Sequence, residues 1–245
     1  MLSSLAKVDT RPTLSSISAI IPAYNEKGRI GKVLAVLRQV ECLSEILVVD
    51  DGSTDQTGEE AQREVGSDPR FRLIRLDKNL GKGQALFTGW QHARSNYLLL
   101  LDADLIGLTP LHIIALMQPV LEGRADMTLG LFRGGYWRTD LSHILTPWLS
   151  GQRCLRAELF RYISPKAAAG YGFETALTVA AQQHHWRCQA VILRGVSHVP
   201  SENHRGLWRG LATRSKMYAH IVRAWFQAEG WRHAISQFPL HLPFG

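Results

Sequence analysis

A chain of 245 residues with 45% apolar and 20% charged content can bury a large core, and it holds no apolar run of about 18 residues, which excludes a bilayer-spanning segment. The formal charge of +7 is uneven: residues 1–130 carry 14 Lys/Arg against 16 Asp/Glu, whereas residues 131–245 carry 14 against 5. The basic half therefore suits an anionic partner, which charge alone leaves open among nucleic acid, a phosphorylated acceptor and an acidic lipid surface.

Three cysteines at unrelated spacings, Cys42, Cys154 and Cys188, form no CxxC pair. Reduced thiols in a cytoplasmic setting are expected, and Met1 to Ser16 lacks a signal-peptide core.

In chain order, Ile17–Ile21 is a short β-branched strand that Pro22 should close by removing a ladder donor. Ile30, Val33, Leu34 and Leu37 then fall on one face of a helix. Glu45–Val49 is a second strand running into Asp50-Asp51-Gly52-Ser53-Thr54-Asp55, after which a polar helix spans about 56–65 with Ser53 or Asp55 as its N-cap. Phe71–Leu76 alternates as a third strand, followed by Lys78-Asn79-Leu80-Gly81-Lys82-Gly83 and a helix over about 84–95.

The central strand is Tyr97–Leu101. Five apolar residues in a row predict burial on both faces, and the strand must stop at Asp102-Ala103-Asp104, because ionised carboxylates do not stay in a dry core unpaired. Strands alternating with helices predict right-handed βαβ units, a mostly parallel sheet, and ligands at the carboxyl edge where these loops gather. Two carboxylates one residue apart at that edge read either as hard ligands for Mg²⁺ or Mn²⁺ or as caps of the following turn.

Further on, a helix from Pro110 should end near Met117 with the help of Pro119, and Met127–Leu131 is a strand. Residues 133–150 read as an irregular loop. A short strand or turn over 152–156 precedes a helix at 157–163, Gly170-Tyr171-Gly172-Phe173-Glu174 opens another helix reaching about 185, and Cys188–Leu193 is a last strand. Leu207, Trp208, Leu211, Tyr218, Ile221, Val222, Trp225 and Phe226, interleaved with Arg205, Arg209, Arg214, Lys216 and Arg223, make a basic amphipathic helix. The expected organisation is a domain over 1–204 with an extension over 205–245 that packs on the domain or on a membrane surface.

Ile21-Pro22-Ala23-Tyr24-Asn25-Glu26, Val48-Val49-Asp50-Asp51-Gly52-Ser53-Thr54-Asp55, Asn79-Leu80-Gly81-Lys82-Gly83 and Leu101-Asp102-Ala103-Asp104 occur in one order, each at a strand-to-loop junction. Together they resemble the family-2 glycosyltransferases of the GT-A fold, above all the dolichyl-phosphate mannosyltransferase-like and glucosyl-3-phosphoglycerate synthase-like members. Ser150-Gly151-Gln152-Arg153 and Gly170–Glu174 look like that family's acceptor-side segments.

The resemblance implies a hexose moved from a UDP- or GDP-sugar to a phosphorylated or lipid-phosphate acceptor, with Mg²⁺ or Mn²⁺ as cofactor. Pro22, Ala23 and Tyr24 would wall the nucleobase, Glu26 would accept from ribose hydroxyls, and Asp51 would read a ring N–H. Asp104 would contact the cation directly and Asp102 the ribose or the metal shell. Lys82, between two glycines, is placed to meet diphosphate charge or is a solvated turn lysine. Glu174 is a candidate base or acceptor-binding group, or complements a helix dipole. Arg153 could hold a phosphate. His198 could supply a third metal ligand, as a histidine after a late strand does in the glucosyl-3-phosphoglycerate synthase-like branch, or could serve in an ordinary turn.

Competing classes fare worse. A nucleotidyltransferase would want a glycine-rich loop after the first strand, and a dinucleotide dehydrogenase would want GxGxxG there. A basic module for nucleic acid or membrane is compatible with the charge, but no nucleic-acid motif accompanies it.

Overall fold

The protein is described by a computed structural model over residues 16–133, 150–163 and 172–198. Most of the irregular loop expected at 133–150, the start of the Gly170 segment and the whole of 205–245 lie outside the described residues.

The elements are β1 (Ile17–Ala23), α1 (Ile30–Arg38), β2 (Glu45–Asp50), α2 (Thr57–Val65), β3 (Phe71–Arg75), α3 (Lys82–His92), β4 (Tyr97–Leu100), β5 (Leu105–Ile106), α4 (Pro110–Leu121), β6 (Met127–Arg133), β7 (Arg153–Arg156), a 3₁₀ turn (Ala157–Tyr162), α5 (Phe173–Gln183), β8 (Cys188–Arg194) and β9 (Ser197–His198). Seven of the strands form one sheet in the order β3-β2-β1-β4-β7-β6-β8. Pairings β1/β2, β1/β4, β2/β3 and β6/β8 are parallel, and only β7 runs against its neighbours.

Alternation along the central strands sends side chains to both faces. Ile17, Ala19, Ile21, Ile46 and Val48 pack under α1 and α4 with Leu34, Leu37, Ile113 and Leu116. Ile20, Leu47, Val49 and Leu100 pack on the other face with Leu86, Phe87, Phe160, Phe173 and Leu177. Burying each aliphatic chain contributes roughly 1.5–3 kcal/mol, so the sheet is held from both sides. Gly89 lets α3 approach closely, because a Cβ there would collide with Ile20.

Several boundaries differ from the sequence reading for physical reasons. β1 continues through Pro22 to Ala23, since the missing donor of Pro22 points toward β4, whose ladder with β1 has already ended at Ile20↔Leu100. On the other side Ala23 still accepts from the Asp51 N–H at 2.8 Å. α4 runs through Pro119 to Leu121, where one lost hydrogen bond in the last turn is outweighed by the burial of Pro119 and Val120. The N-cap of α2 is Gln56, not Ser53 or Asp55, although Asp55 still accepts from the Thr57 N–H at 3.1 Å. α3 starts at Lys82 because Gly81 takes a positive φ of 91° that turns the chain into it. Residues 157–162 close as a 3₁₀ turn rather than an α-helix.

The order reverses at β1, with β2 on one side and β4 on the other, which opens a crevice beyond the carboxyl ends of β1 and β4. Antiparallel β7 brings the start of its own chain to that end, since Arg153 pairs with Leu100. The two-stranded β5/β9 ribbon does the same for His198, which pairs with Leu105.

Candidate active site

Asp102 follows β4 by two residues and Asp104 precedes β5, so both leave the sheet at the crevice. Carboxylate oxygens of Asp102 and Asp104 and a ring nitrogen of His198 all lie within 4.8 Å of one another. Nδ1 of His198 is 3.0 Å from Oδ1 of Asp104, and its Nε2 is 3.9 Å from Oδ2 of Asp102. Phe132 steadies the imidazole edge-on, with ring centroids 5.0 Å apart. Burial opposes the charged imidazolium, but the hydrogen bond to Asp104 and the charge of Asp102 prevail and raise the pKa of His198 above its ordinary value.

Asp102 is held on both oxygens. Lys82 Nζ is 2.6 Å from Oδ1, and Gln152 Nε2 donates to Oδ2 at 2.8 Å. Burial pushes its pKa up, yet Lys82 and His198 hold it below the usual carboxylate range. Gly151 makes this approach feasible, since a Cβ there would sit 2.5 Å from Oδ2 of Asp102 and 2.8 Å from Lys82 Nζ.

Lys82 also reaches Oε1 of Glu174 at 2.6 Å, so one ammonium joins the loop after β4 to the first turn of α5. Desolvation works against the charge of Lys82, and the Asp102 and Glu174 carboxylates more than offset it, raising its pKa. Glu26 faces the same crevice. Burial lifts its carboxyl to about 7, with Asp104, Asp102 and Asp55 adding to the rise and Arg29, 2.8 Å away, opposing it.

Other candidates sit differently. Asp51 is 3% exposed, and its two oxygens accept from the N–H groups of Leu80 and Gly81, each at 2.8 Å, which fixes the loop that presents Lys82. Pro22 and Ala23 are buried by the extension of β1, leaving Tyr24, 43% exposed, as the side chain of that trio open to a ligand. Arg153 is 0% exposed, so its side chain does not line the crevice as expected. Its guanidinium donates to the Ser150 carbonyl at 2.9 Å and the Glu174 carbonyl at 3.2 Å, tying β7 to α5, and burial lowers its pKa to about 10.

Gln152 and Gly151 are the residues that sequence reasoning passed over. Both lie in the Ser150–Arg153 segment, where charge singles out Arg153 and no local pattern marks the amide or the glycine. The donor set of two carboxylates and one imidazole fits a divalent ion such as Mn²⁺ or Mg²⁺, carboxylate oxygen being hard and imidazole tilting preference toward Mn²⁺.

A parallel-centred sheet with this acidic cluster at its switch point defines a glycosyltransferase of the GT-A class. The chain belongs to glycosyl transferase family 2, whose family model matches residues 18–181. Among curated proteins it is 38% identical over 133 residues to an undecaprenyl-phosphate 4-deoxy-4-formamido-L-arabinose transferase of Pectobacterium carotovorum, a match covering 49% of this chain and 40% of the relative. It is also 38% identical over 101 residues to the dolichyl-phosphate beta-glucosyltransferase of Saccharomyces cerevisiae, covering 36% of this chain and 29% of that one. These matches thus span less than half the length of either relative.

Among solved structures, glucosyl-3-phosphoglycerate synthase from Mycobacterium tuberculosis in complex with Mn²⁺, uridine diphosphate and phosphoglyceric acid superposes with a TM-score of 0.68 at 25% identity, covering 85% of this chain and 78% of that one. Membership of the family replaces the nucleotidyltransferase, dehydrogenase and pure binding-module readings.

Proposed function

We propose that the crevice transfers a hexose from a UDP- or GDP-sugar to a phosphorylated or lipid-phosphate acceptor, with Mg²⁺ or Mn²⁺ bound by Asp102, Asp104 and His198. The observation that carries this reading is the convergence of those three side chains within 4.8 Å at the sheet's switch point. It is supported by the similar synthase described with Mn²⁺ and uridine diphosphate, and by relatives named for dolichyl- and undecaprenyl-phosphate acceptors.

A divalent cation there would offset the charge of the departing nucleoside diphosphate. The chain's own groups do the rest. Tyr24 offers a face for the nucleobase, with Asp51 as its reader beneath the loop it anchors, and Glu26 accepts from ribose hydroxyls. Lys82, in the first turn of α3, meets the diphosphate. As the bond from the anomeric carbon to the diphosphate oxygen breaks, an acceptor oxygen forms the new bond. A phosphate acceptor arrives already anionic and needs no base; an alcohol acceptor must lose a proton, for which Glu174 is the candidate. Lys82 occupies Oε1 of Glu174 at 2.6 Å, so the lysine must leave before that oxygen can take a proton. Arg153 positions the Glu174 turn from behind.

The setting we propose is cytoplasmic, with residues 205–245 as a basic extension that settles the domain on an anionic membrane face. No helix among the described residues is long and apolar enough to cross a membrane. Nucleic acid is not an expected partner. Thermal stabilisation by a panel of UDP- and GDP-sugars, with and without Mn²⁺, followed by nucleoside diphosphate release tests the assignment. Stabilisation by one nucleotide class that depends on Mn²⁺ is the expected result; no stabilisation by any would overturn it.

A further inference from the structure

We infer that in the nucleotide-free protein the Lys82 ammonium is the counter-cation of Asp102 and competes with the divalent ion for that carboxylate. This rests on the metal assignment above, and deepens it by giving Lys82 a role before the donor arrives.

The geometry carries the inference. Both oxygens of Asp102 are committed, Oδ1 to Lys82 at 2.6 Å and Oδ2 to Gln152 at 2.8 Å. Each oxygen keeps a second lone pair, so a cation joining Asp104 and His198 to Asp102 need not break either bond, but it meets a carboxylate whose charge Lys82 already neutralises. Gln152 is 0% exposed and its Oε1 accepts from the Ser150 hydroxyl at 3.0 Å, so it is anchored at both ends. Lys82 is held by two carboxylates, but on a flexible stem with 39% of its side chain exposed, and it is the partner that an incoming diphosphate can draw away. It also stands at the N-terminus of α3, beside the backbone N–H groups a diphosphate would seek. Departure of Lys82 uncovers two carboxylates at once, Asp102 for the cation and Glu174 for the acceptor side. The ammonium thus keeps the acidic crevice neutralised until a ligand replaces it.

The test is a titration of Mn²⁺ alone, without nucleotide, read from the electron paramagnetic resonance signal of the free aqueous ion. Four proteins are compared: wild type, Lys82→Met, Asp102→Asn and the double variant, each checked for an unaltered thermal melt. Lys82→Met should bind Mn²⁺ ~10-fold more tightly than wild type, in the range usual for coupled sites. In the Asp102→Asn background the same change should shift affinity by about twofold or less, because the contested carboxylate is gone. Equal tightening in both backgrounds would mean that the lysine acts only through its general field, and would overturn the inference. Equal or weaker binding by Lys82→Met would overturn it as well. Failure of all four proteins to bind Mn²⁺ would remove the metal assignment itself, a result distinct from either.

Discussion

Gln152 donates from Nε2 to Oδ2 of Asp102 at 2.8 Å across 50 residues of sequence, and the Ser150 hydroxyl holds the other end of the same amide at 3.0 Å. Asp102 is therefore aimed by a buried amide rather than by its own loop. A hydrogen bond to a charged group is worth roughly 1.5–3 kcal/mol, or about 10–150-fold in rate if felt in the transition state. Gln152→Leu, which keeps the volume and loses the donor, should slow nucleoside diphosphate release by that order. Unchanged turnover in a protein that melts normally would show that Asp102 needs no such support.

Asp104→Asn should nearly abolish transfer while leaving the melting temperature close to wild type. The carboxylate lies in the crevice outside the apolar clusters and pairs with His198 at 3.0 Å. Normal turnover with normal metal dependence would refute the central assignment.

His198 separates the two candidate metals. With the imidazole gone, His198→Ala should bind Mn²⁺ more weakly and lose the preference for Mn²⁺ over Mg²⁺, since the remaining oxygen ligands favour neither strongly. Calorimetric titration of both ions in the presence of the nucleoside diphosphate checks this, and an unaltered preference would return His198 to a role in the β5/β9 ribbon alone.

Glu45 contributes to the response to acid. It is 6% exposed and accepts from Ser18 at 2.6 Å, from Arg72 at 2.6 Å and from the Arg94 N–H at 3.1 Å. Burial raises its pKa, and those donors together with the Arg72 charge pull it below the ordinary 4.5. A depressed folded-state pKa stabilises the fold above the unfolded value and loses that contribution as pH falls through the folded one. The stability gap between wild type and Glu45→Gln in urea should thus be full at pH 7 and shrink below about pH 4. A constant gap down to pH 3 would mean the charge is not involved.

The membrane role proposed for residues 205–245 has its own test. Residues 205–245 carry six Lys/Arg against one Asp/Glu, and Trp208, Trp225 and Trp231 accompany them. Flotation with vesicles should rise with anionic lipid and fall with salt. Equal flotation with neutral and anionic vesicles would assign the stripe to packing instead.

Local patterns carried much of the architecture. The apolar run of β2, the helical spacing of Ile30, Val33, Leu34 and Leu37, and the halt of β4 before Asp102 depend on neighbours in sequence and were readable from it. So was the convergence of loops at one edge, because parallel strands joined by helices place all their carboxyl ends together. Pro22 and Pro119 misled, because whether a missing donor matters depends on what lies opposite it, and that is a property of the ladder and the core.

The chain written out as residues was enough to settle that this is an α/β transferase with an acidic metal-type cluster, since four motifs in register leave few other folds. It could not tell that Arg153 turns inward while Gln152 turns toward Asp102, or that Lys82 lies between Asp102 and Glu174. Those contacts arise because β7 enters the sheet antiparallel between β4 and β6, a register set by packing among distant segments rather than by any local preference.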